Sequence, residues 1–365
     1  MQRNIAVIFG GVSNENEISV ITGTMALNVL KSGGDTVIPL YLSQQGELFT
    51  GAGLADINNF KHGGFKVFPR ALFAEGGIFV MNKRGRPKKF VRVDAALNCC
   101  HGGYGEGGGI CGLCALNKIP LASAGMFESA AFMDKYYTKL VLSALGVNIA
   151  PYAYIRNLSD FAAAEELGYP LIVKPAKLGS SIGVERADDR AALECAVESA
   201  FFYDDGVLAE KYFEDKREIN CAAYYSGGEV VTSECEEALS GSDIFSFDDK
   251  YTGSGKSVLP AHIPEATAEK IKNLTAEVYS KLNMRGIVRF DYILSGGEIY
   301  LSEINTVPGS LSYYLLSSGF RDFYPVLQAV IIQAEEDFRK NSEKKILSTG
   351  ILDNLPPNGC KFGKK

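Results

Sequence analysis

The feature that most constrains the fold of this chain is a hairpin signal toward its carboxyl end, in residues 287–304. Residues 287–294 are mostly apolar or β-branched and predict a strand. The sequence Ser-Gly-Gly-Glu at 295–298 predicts a tight turn, and residues 299–304 predict the returning strand. The chain is therefore expected to pair these two segments side by side in an antiparallel sheet.

The hairpin carries an arginine and three oxygen-bearing side chains. Because side chains alternate along a strand, Arg289 and Asp291 are expected on one face of the first strand, and Glu303 and Asn305 on one face of the second. Carboxylate and amide oxygens suit Mg²⁺, which binds through one or two carboxylates together with phosphate oxygens. We therefore predict that Asp291, Glu303 and Asn305 are metal ligands beside a nucleotide. Arg289 is then expected at the transferring phosphoryl group. A solvated hairpin with one salt bridge is the alternative that this segment alone leaves open.

A second signal begins with an apolar strand at residues 171–174, which ends in Lys174. The loop after it contains Gly179-Ser-Ser-Ile-Gly183, and such a loop can lay backbone N–H groups and hydroxyls over phosphate oxygens. Lys174 would add a point charge. The spacing G-x-x-x-x-G-K-[ST] is absent, so this is not a Walker loop. An isolated Gly-Ser turn is unremarkable, but beside the hairpin it predicts a phosphate-binding site.

Eight short motifs follow one another between about residue 5 and residue 315. They read G-G-V-S-N-E-N-E-I-S at 10–19, H-G-G-Y-G-E-G at 101–107, M-D-K at 133–135, K-P with G-S-S-I-G at 174–183, E-K-Y-F at 210–213, K-Y at 250–251, R-F-D at 289–291 and E-I-N-T-V-P-G at 303–309. This ordered set resembles the ATP-grasp ligases, and within them the D-alanine:D-alanine ligase family. Eight motifs in order are far more specific than any one of them.

The resemblance implies an α/β chain, α+β in its central domains, with an ATP-grasp fold preceded by a Rossmann-like N-terminal domain. It implies four parts: a substrate domain at 1–122, a central ATP-grasp subdomain at 123–211, a C-terminal ATP-grasp subdomain with the metal ligands at 212–340, and a tail at 341–365. The apolar segment at 5–10 predicts a buried parallel strand, followed by a glycine turn and a helix. A dehydrogenase would begin in the same way, but the G-x-G-x-x-G spacing is missing.

The same resemblance implies ATP-dependent ligation of two D-alanines to D-alanyl-D-alanine through an acyl phosphate, for peptidoglycan precursor synthesis. The catalytic positions that it implies are Glu15, Ser180, Tyr251, Arg289 and Gly309. The substrate-binding positions are His101, Lys250, Tyr314 and Leu315. The nucleotide-binding positions are Lys135, Lys174, Ser181, Glu210, Lys211, Phe213 and Glu218. The implied cofactors are ATP and two Mg²⁺ ions, or Mn²⁺ in their place, on the three predicted metal ligands.

At three positions the chain departs from the family pattern. Gly107 stands where the family usually has an acidic residue, and Cys111 stands where it has a glutamine. Tyr314 stands where a serine hydroxyl usually contacts the carboxylate of the second substrate. A tyrosine can still donate a hydrogen bond but occupies far more volume. We therefore expect a reshaped acceptor pocket, in which Ser310 or Ser312 is the alternative hydroxyl donor.

Three interpretations of function stay open at this stage. The leading one is the ligase of two D-alanines. The second keeps the fold and the chemistry but uses another acceptor, such as D-serine or D-lactate. The third is a nucleotide-binding protein without ligase activity. The joint presence of the expected catalytic residues and metal ligands argues against the third, and amino-acid-dependent phosphate release would exclude it.

Composition limits the compartment and the partners. The chain has 37 basic and 43 acidic residues and a formal net charge of −6, which does not favour a nucleic-acid-binding surface. No apolar stretch reaches the roughly 18 residues that span a bilayer, and no signal-peptide pattern follows Met1. We therefore expect a cytoplasmic protein with small-molecule partners, D-alanine and ATP, and with no membrane or nucleic-acid partner. A homodimer is implied by the resemblance alone.

Cysteines near the second motif raise the question of a zinc site, since C-x-x-C is a metal signal. Cys99 and Cys100 end an apolar strand, so their side chains are predicted to point to opposite faces. Cys111 and Cys114 stand where a helix should begin, and free cysteines often behave as small buried hydrophobes. We therefore expect neither a zinc site nor a redox pair.

Overall fold

The computed structural model describes residues 3–157, 160–239, 256–345 and 347–354. The strands in chain order are β1 Asn4–Gly10, β2 Thr36–Leu42, β3 Leu48–Thr50, β4 Ala71–Ala74, β5 Gly77–Met81, β6 Pro87–Arg92, β7 Ala95–Asn98, β8 Leu121–Ala122, β9 Tyr152–Ile155, β10 Leu171–Pro175, β11 Glu185–Ala187, β12 Val207–Lys211, β13 Arg217–Ser226, β14 Glu229–Thr232, β15 Glu236–Leu239, β16 Lys256–Val258, β17 Val288–Ser295 and β18 Glu298–Asn305. The helices are α1 Asn16–Ser32, α2 Ile110–Leu116, α3 Met126–Met133, α4 Lys135–Ala144, α5 Phe161–Glu165, α6 Arg190–Phe201, α7 Glu265–Lys281, α8 Tyr313–Leu316 and α9 Tyr324–Ser342.

The first sheet has the strand order β3-β2-β1-β7-β8, and β1 pairs in parallel with both β2 and β7. Its central strand is apolar because both faces are covered, as is usual for parallel sheets. Ile5 and Val7 pack with α1 on one face, whereas Ala6 and Ile8 pack toward α2 on the other. The predicted strand, glycine turn and helix at the start of the chain are confirmed.

The cysteines of the second motif lie in this sheet and beside it. Cys99 belongs to the core on the α1 face and Cys100 to the core on the α2 face, which confirms that they point in opposite directions. Cys114 is buried in the α2-side core, and the Cys111 thiol donates to the Ala124 carbonyl at 3.3 Å. These thiols serve packing and local hydrogen bonding, and burial raises the pKa of Cys114 to about 12.

Two antiparallel sheets follow, besides a small sheet formed by β4, β5 and β6. One has the order β11-β10-β12-β9, and α5 and α6 pack on it through Phe161, Leu193 and Val197. The other has the order β16-β15-β13-β17-β18, with β14 beside β13, and α7 packs on it through Ile271 and Val278. The two sheets present the ends of β10 and β12 and the hairpin β17–β18 to one shared cavity.

The hairpin that opened the sequence analysis is confirmed. In the β17–β18 ladder, Arg289 lies opposite Asn305 and Asp291 lies opposite Glu303. The register shifts beside Asp291, so that Ser302 has no cross-strand partner and the ladder bulges there. Such a bulge re-aims the neighbouring side chains, and it brings the predicted ligand residues of both strands together.

Helix α9 follows the β17–β18 hairpin in the chain but packs against the first sheet. Its Val326, Leu327 and Val330 enter the same core as β1 and α1 of the first sheet. The chain therefore returns to its first sheet after the antiparallel sheets are complete. Among the described helices, none combines the length and the apolar character that a bilayer-spanning segment needs.

Candidate active site

The strand ends of the two antiparallel sheets and the loops after β1 and β7 enclose a cavity of about 540 Å³. Most of the predicted site residues line it: Glu15, His101, Lys135, Lys174, Ser180, Ser181, Glu210, Lys211, Phe213, Glu218, Arg289, Asp291, Glu303, Asn305, Gly309 and Tyr314. Leu315 is buried, and its side chain is not part of this lining. Lys250 and Tyr251 lie outside the described residues.

The predicted ligand set converges on one carboxylate. Arg289 donates to Asp291 through Nε at 2.7 Å and through Nη2 at 2.9 Å, and Asn305 Nδ2 donates to Asp291 Oδ2 at 2.9 Å. A carboxylate offers about four lone-pair positions, so three N–H donors leave it one position. With Glu303 on the facing strand and the amide oxygen of Asn305, the donor chemistry fits Mg²⁺.

A buried charge cluster lies beside the β17–β18 hairpin. The Glu210 carboxylate is 3.1 Å from the Lys139 ammonium and 3.0 Å from the Lys174 ammonium. Burial lowers the pKa of Lys139, and the attraction of Glu210 offsets only part of that effect. Burial alone would also lower the pKa of Lys174, but Glu210 and Glu303 outweigh it and raise the pKa. The cluster carries two positive charges for one negative charge, so it suits an anionic ligand.

Lys135 and Lys174 both face the β17–β18 hairpin. Their ammonium groups lie 3.7 and 4.0 Å from Glu303 Oε1, respectively. Lys135 also donates to the Leu178 carbonyl at 2.5 Å, which joins α4 to the Gly-Ser loop. The two lysines therefore stand between the ligand hairpin and the loop that was predicted to cover phosphate groups.

The Gly-Ser loop reaches the first sheet through a direct hydrogen bond. The Ser180 hydroxyl donates to Glu15 Oε1. A Cβ at Gly179 would come within 2.8 Å of Glu15 Oε2, so a side chain there would displace the Glu15 carboxylate from its present position. Ser180 and Ser181 both have left-handed backbone conformations, with φ of 55° and 57°. The loop is therefore shaped to bring its backbone and hydroxyls toward the cavity and toward Glu15.

His101 is buried at the edge of the cavity and is held by a neighbouring hydroxyl. Its Nε2 lies 2.8 Å from Thr22 Oγ1. Burial lowers the pKa of His101 to about 4, and the nearby Arg289 charge acts in the same direction. The ring is therefore neutral near pH 7. The Ser13 hydroxyl accepts from the Glu15 N–H at 2.9 Å and donates to the His101 carbonyl at 2.7 Å, which ties Glu15 to the same loop.

Glu106 is a half-buried carboxylate in the second motif that was not predicted as a site residue. Its Oε2 accepts from the Gly102 N–H at 2.8 Å, and its Oε1 accepts from the Val307 N–H at 3.3 Å. It therefore joins the glycine turn after β7 to the loop after β18. Burial raises the pKa of Glu106 to about 7, and the neighbouring Glu15 adds to that rise.

This shift predicts a pH-dependent contribution of Glu106 to stability. Its folded pKa of about 7 exceeds the ordinary value of 4.5, so its contribution is fully present below pH 4.5 and is lost as the pH rises through 7. The difference corresponds to about 3 kcal/mol. We expect the free energy of unfolding of the wild type to fall relative to that of Glu106→Gln between about pH 5 and pH 8. Denaturant unfolding across this range measures it, and parallel curves would contradict the assignment.

Two of the three departures from the family pattern, Tyr314 and Gly107, concern the surroundings of the cavity. The Tyr314 hydroxyl accepts from Arg289 Nη1 at 3.3 Å, inside the cavity. A Cβ at Gly107 would meet Met133 at an ordinary 3.5 Å, so the loop does not require glycine there for space. Of the two alternative hydroxyl donors, Ser310 lines the cavity, whereas Ser312 is fully buried and is not part of the lining.

Several site residues were missed because their sequence context is ordinary. Lys139 lies four residues after Lys135, and this spacing places both lysines on one face of a helix, which was a usable signal. Thr22 lies within an apolar helix pattern, where nothing marks its hydroxyl. Glu236 also lines the cavity, and Asn220 Nδ2 donates to it at 3.1 Å. Its role depends on the pairing of β13 with β15, which the sequence does not specify.

A strand-borne oxygen ligand set, two lysines and a Gly-Ser loop meet between two antiparallel sheets, and this arrangement defines an ATP-grasp enzyme. Comparison with known proteins agrees with that class. The family model described as D-ala D-ala ligase N-terminus matches residues 4–124, and the model described as D-ala D-ala ligase C-terminus matches residues 141–321. The chain belongs to the D-alanine–D-alanine ligase family.

Individual relatives cover nearly all of the chain. The D-alanine–D-alanine ligase of Thermosipho africanus is 38% identical over 96% of this chain and 98% of its own length. That of Clostridium novyi is 33% identical over 85% and 90%, respectively. The crystal structure of the Helicobacter pylori D-alanine–D-alanine ligase is 27% identical, with a TM-score of 0.74, over 91% of this chain and 98% of that one. The VanG D-Ala:D-Ser ligase from Enterococcus faecalis shares the fold, with 24% identity, a TM-score of 0.77 and coverage of 92% and 100%.

Proposed function

We propose that this protein joins two D-alanines to D-alanyl-D-alanine at the expense of ATP, for peptidoglycan precursor synthesis. The observation that carries the proposal is one cavity lined by two chemically different groups of residues. One group of lining residues comprises Lys135 and Lys174 beside Glu303 of the β17–β18 hairpin, and a second group comprises Glu15 and His101, which Ser13 links to each other. The first group suits the phosphates of a nucleotide, and the second suits a small amino acid with a positive ammonium group.

The nucleotide is proposed to lie along β12 and the loop after it. Main-chain groups of 211–213 would contact the adenine, and Glu218 would point toward the ribose. The Phe213 ring stacks on Tyr300 with centroids 4.7 Å apart, and Lys216 holds Glu218 at 2.7 Å, so both positions are fixed by neighbours. Lys135, Lys174 and Ser181 would contact the phosphates, to which the positive cluster around Glu210 also offers a favourable field.

Asp291, Glu303 and Asn305 would hold the divalent cation, proposed as two Mg²⁺ ions with Mn²⁺ as a substitute. When bound, the cation neutralises charge on the phosphoryl oxygens. In the first reaction the carboxylate of one D-alanine takes the γ-phosphoryl group of ATP, giving an acyl phosphate and ADP. Glu15 pairs with the ammonium of that D-alanine. Lys174 and Arg289 face the phosphoryl oxygens and offset the negative charge that spreads over them.

In the second reaction the free amine of the acceptor attacks the acyl carbon, and phosphate leaves as the amide bond forms. The Gly309 N–H is proposed to donate to the oxygen of the tetrahedral intermediate. Ser180, hydrogen-bonded to Glu15, is proposed to orient the donor and to act with Tyr251 on the proton that the amine must lose. His101, Lys250 and the backbone at Leu315 complete the proposed substrate contacts.

An acceptor other than D-alanine is the second candidate, and the position of Tyr314 favours keeping it. The Tyr314 ring occupies part of the cavity beside Arg289, where a serine would leave space. D-Serine and D-lactate are the alternative acceptors. The proposal also includes a cytoplasmic location, a homodimer and the domain division given in the sequence analysis.

Exchange of Tyr314 for serine tests the acceptor pocket. We expect the apparent KM for the second amino acid to change by about tenfold or more, because pocket volume changes of this size alter discrimination to that extent. The KM for ATP should change by less than about twofold, since the proposed adenine and ribose contacts on β12 and the loop after it do not include Tyr314. Tyr314→Phe is the matched control, because it keeps the ring and removes only the hydroxyl bond to Arg289. An unchanged acceptor profile in Tyr314→Ser would place Tyr314 outside that pocket.

The activity itself is tested by phosphate release from Mg-ATP with D-alanine alone, and then with D-alanine plus a panel of D- and L-amino acids and D-lactate. Products are identified by mass. Dipeptide from D-alanine alone supports the leading proposal. Release that requires a second compound identifies a different acceptor. ATP binding without any release under these conditions would contradict ligase activity.

A further inference from the structure

The loop that carries the proposed oxyanion donor has an unusual backbone. Ser310, Leu311 and Ser312 follow Gly309 with φ of 49°, 50° and 50°, so three consecutive residues with side chains adopt the left-handed conformation. This conformation is unfavourable for each of them and rarely continues beyond one residue. It persists only where surrounding contacts determine it, and such segments concentrate at functional sites. The loop therefore depends on the residues that hold it.

Two contacts from the first part of the chain hold this loop. Thr22 Oγ1 accepts from the Ser310 N–H at 3.0 Å. Glu106 Oε1 accepts from the Val307 N–H at 3.3 Å, as described above. Leu311 is buried in the core beneath α1, and its N–H donates to the Pro308 carbonyl at 2.8 Å. The left-handed turn is thus bound on both sides of Gly309 by residues of the first sheet and its helix.

The Thr22 hydroxyl is held between two partners. Its oxygen accepts from the Ser310 N–H at 3.0 Å and lies 2.8 Å from His101 Nε2, which can accept the Thr22 hydrogen. The buried imidazole is neutral near pH 7, which leaves Nε2 able to accept that hydrogen. Thr22 is itself fully buried on α1. The Thr22 oxygen is therefore held in place between His101 and the Ser310 N–H, and its position sets the direction of that N–H.

We infer that Thr22 is a positioning residue for the acyl-transfer step, acting through Ser310 on Gly309. Its bond to the Ser310 N–H holds the peptide that follows Gly309, while the bond from the Leu311 N–H to the Pro308 carbonyl holds the preceding peptide, which contains the Gly309 N–H. Together the two bonds fix the backbone on both sides of Gly309, which lines the cavity. Thr22 does not touch the substrate in this scheme. The inference rests on the proposed function, because it assigns Gly309 the oxyanion role.

The test compares Thr22→Val with Thr22→Ser. Valine keeps the shape of threonine but leaves the Ser310 N–H without its acceptor, whereas serine keeps the hydroxyl. Loss of one oxyanion donor lowers kcat by about 10²–10³-fold in other enzymes, so we expect about 10²-fold for a misdirected one. The KM for ATP should change by less than about twofold, because the nucleotide does not meet this loop. Thr22→Ser should retain kcat within about threefold.

Two controls separate positioning from a general loss of structure. Thr24 is also a buried threonine on α1, but its hydroxyl donates to the Val20 carbonyl of its own helix at 2.8 Å. Thr24→Val should therefore keep kcat near the wild-type value. The second control is a dipeptide analogue that has a tetrahedral phosphinate in place of the reacting carbonyl and so resembles the intermediate. Its affinity should fall in Thr22→Val by about the same factor as kcat. The affinity for ADP should stay unchanged. If Thr22→Val does not fold, Thr22→Ala takes its place, with the same expectation.

The outcomes distinguish this inference from the proposed function. If the wild type is active and kcat of Thr22→Val equals that of the wild type, the role of Thr22 is overturned and the proposed function is left intact. An equal loss in Thr22→Val and Thr24→Val also overturns it, because the effect would then be structural. A wild type that makes no dipeptide with any acceptor overturns the proposed function and, with it, the role assigned here. A loss confined to Thr22→Val, with rescue by serine and weakened phosphinate binding, supports the inference.

Discussion

Replacing Asp291 by asparagine is expected to lower the rate of product formation by roughly 10³-fold, because a metal that neutralises phosphoryl charge contributes several kcal/mol to the transition state. Asp291 has contacts with the other predicted site residues of the hairpin: it accepts hydrogen bonds from Arg289 and from Asn305, and it lies opposite Glu303 in the β17–β18 ladder. Asparagine has nearly the same shape but only one oxygen and no charge. The measurement is the steady-state rate of phosphate release at saturating ATP and D-alanine.

The dependence of that rate on Mg²⁺ distinguishes two causes of the loss. A missing ligand raises the Mg²⁺ concentration that is needed, so added Mg²⁺ should recover part of the activity. A loss that came only from displacement of Arg289 would not respond to Mg²⁺. Glu298→Gln is the matched control, because it removes an exposed carboxylate from the same hairpin, at the turn of β18. Wild-type turnover in Asp291→Asn would remove this residue from the metal set.

The hairpin shows how much of this site a sequence can specify. Alternating apolar residues and a Gly-Gly turn fix two adjacent strands, and the side-chain period of two then assigns Arg289 and Asp291 to one face. The bulge at Ser302 was not predictable in the same way. It depends on how β18 pairs with β17 while β17 also pairs with β13, and that is a property of the whole sheet.

Buried polar residues were harder to predict than exposed motifs. Thr22 and Lys139 lie in helices whose patterns explain them as ordinary helix residues. Their importance comes from partners far away in the sequence: Thr22 contacts Ser310, and Lys139 contacts Glu210. A sequence supplies the residue types but not these pairings, which arise only when α1 and α4 pack against other elements. The return of α9 to the first sheet is a pairing of the same kind.

Lys139 provides the largest expected effect on stability. Its side chain is completely buried, and its ammonium lies 3.1 Å from Glu210 Oε1. Removing one member of a buried ion pair leaves an uncompensated charge and typically costs 3–5 kcal/mol. In Lys139→Met the Glu210 carboxylate keeps Lys174, so we expect the free energy of unfolding to fall by about 3 kcal/mol, the lower end of that range. Denaturant unfolding and the apparent melting temperature measure it.

The matched control is Lys281→Met, which removes a lysine that is also paired with a glutamate on a helix but is half-exposed, with Nζ 2.6 Å from Glu277 Oε1. An exposed pair of this kind contributes at most about 0.5 kcal/mol. In the double variant Lys139→Met with Glu210→Gln, both partners of the Lys139–Glu210 contact are changed, so its loss should be smaller than the sum of the two single losses. Equal free energies of unfolding for Lys139→Met and Lys281→Met would show that the charge of the buried lysine does not stabilise the fold. A large loss in Lys139→Met, together with a double variant that loses less than the sum, would instead establish the Lys139–Glu210 pair as a support for Lys174, which is proposed to contact the phosphates.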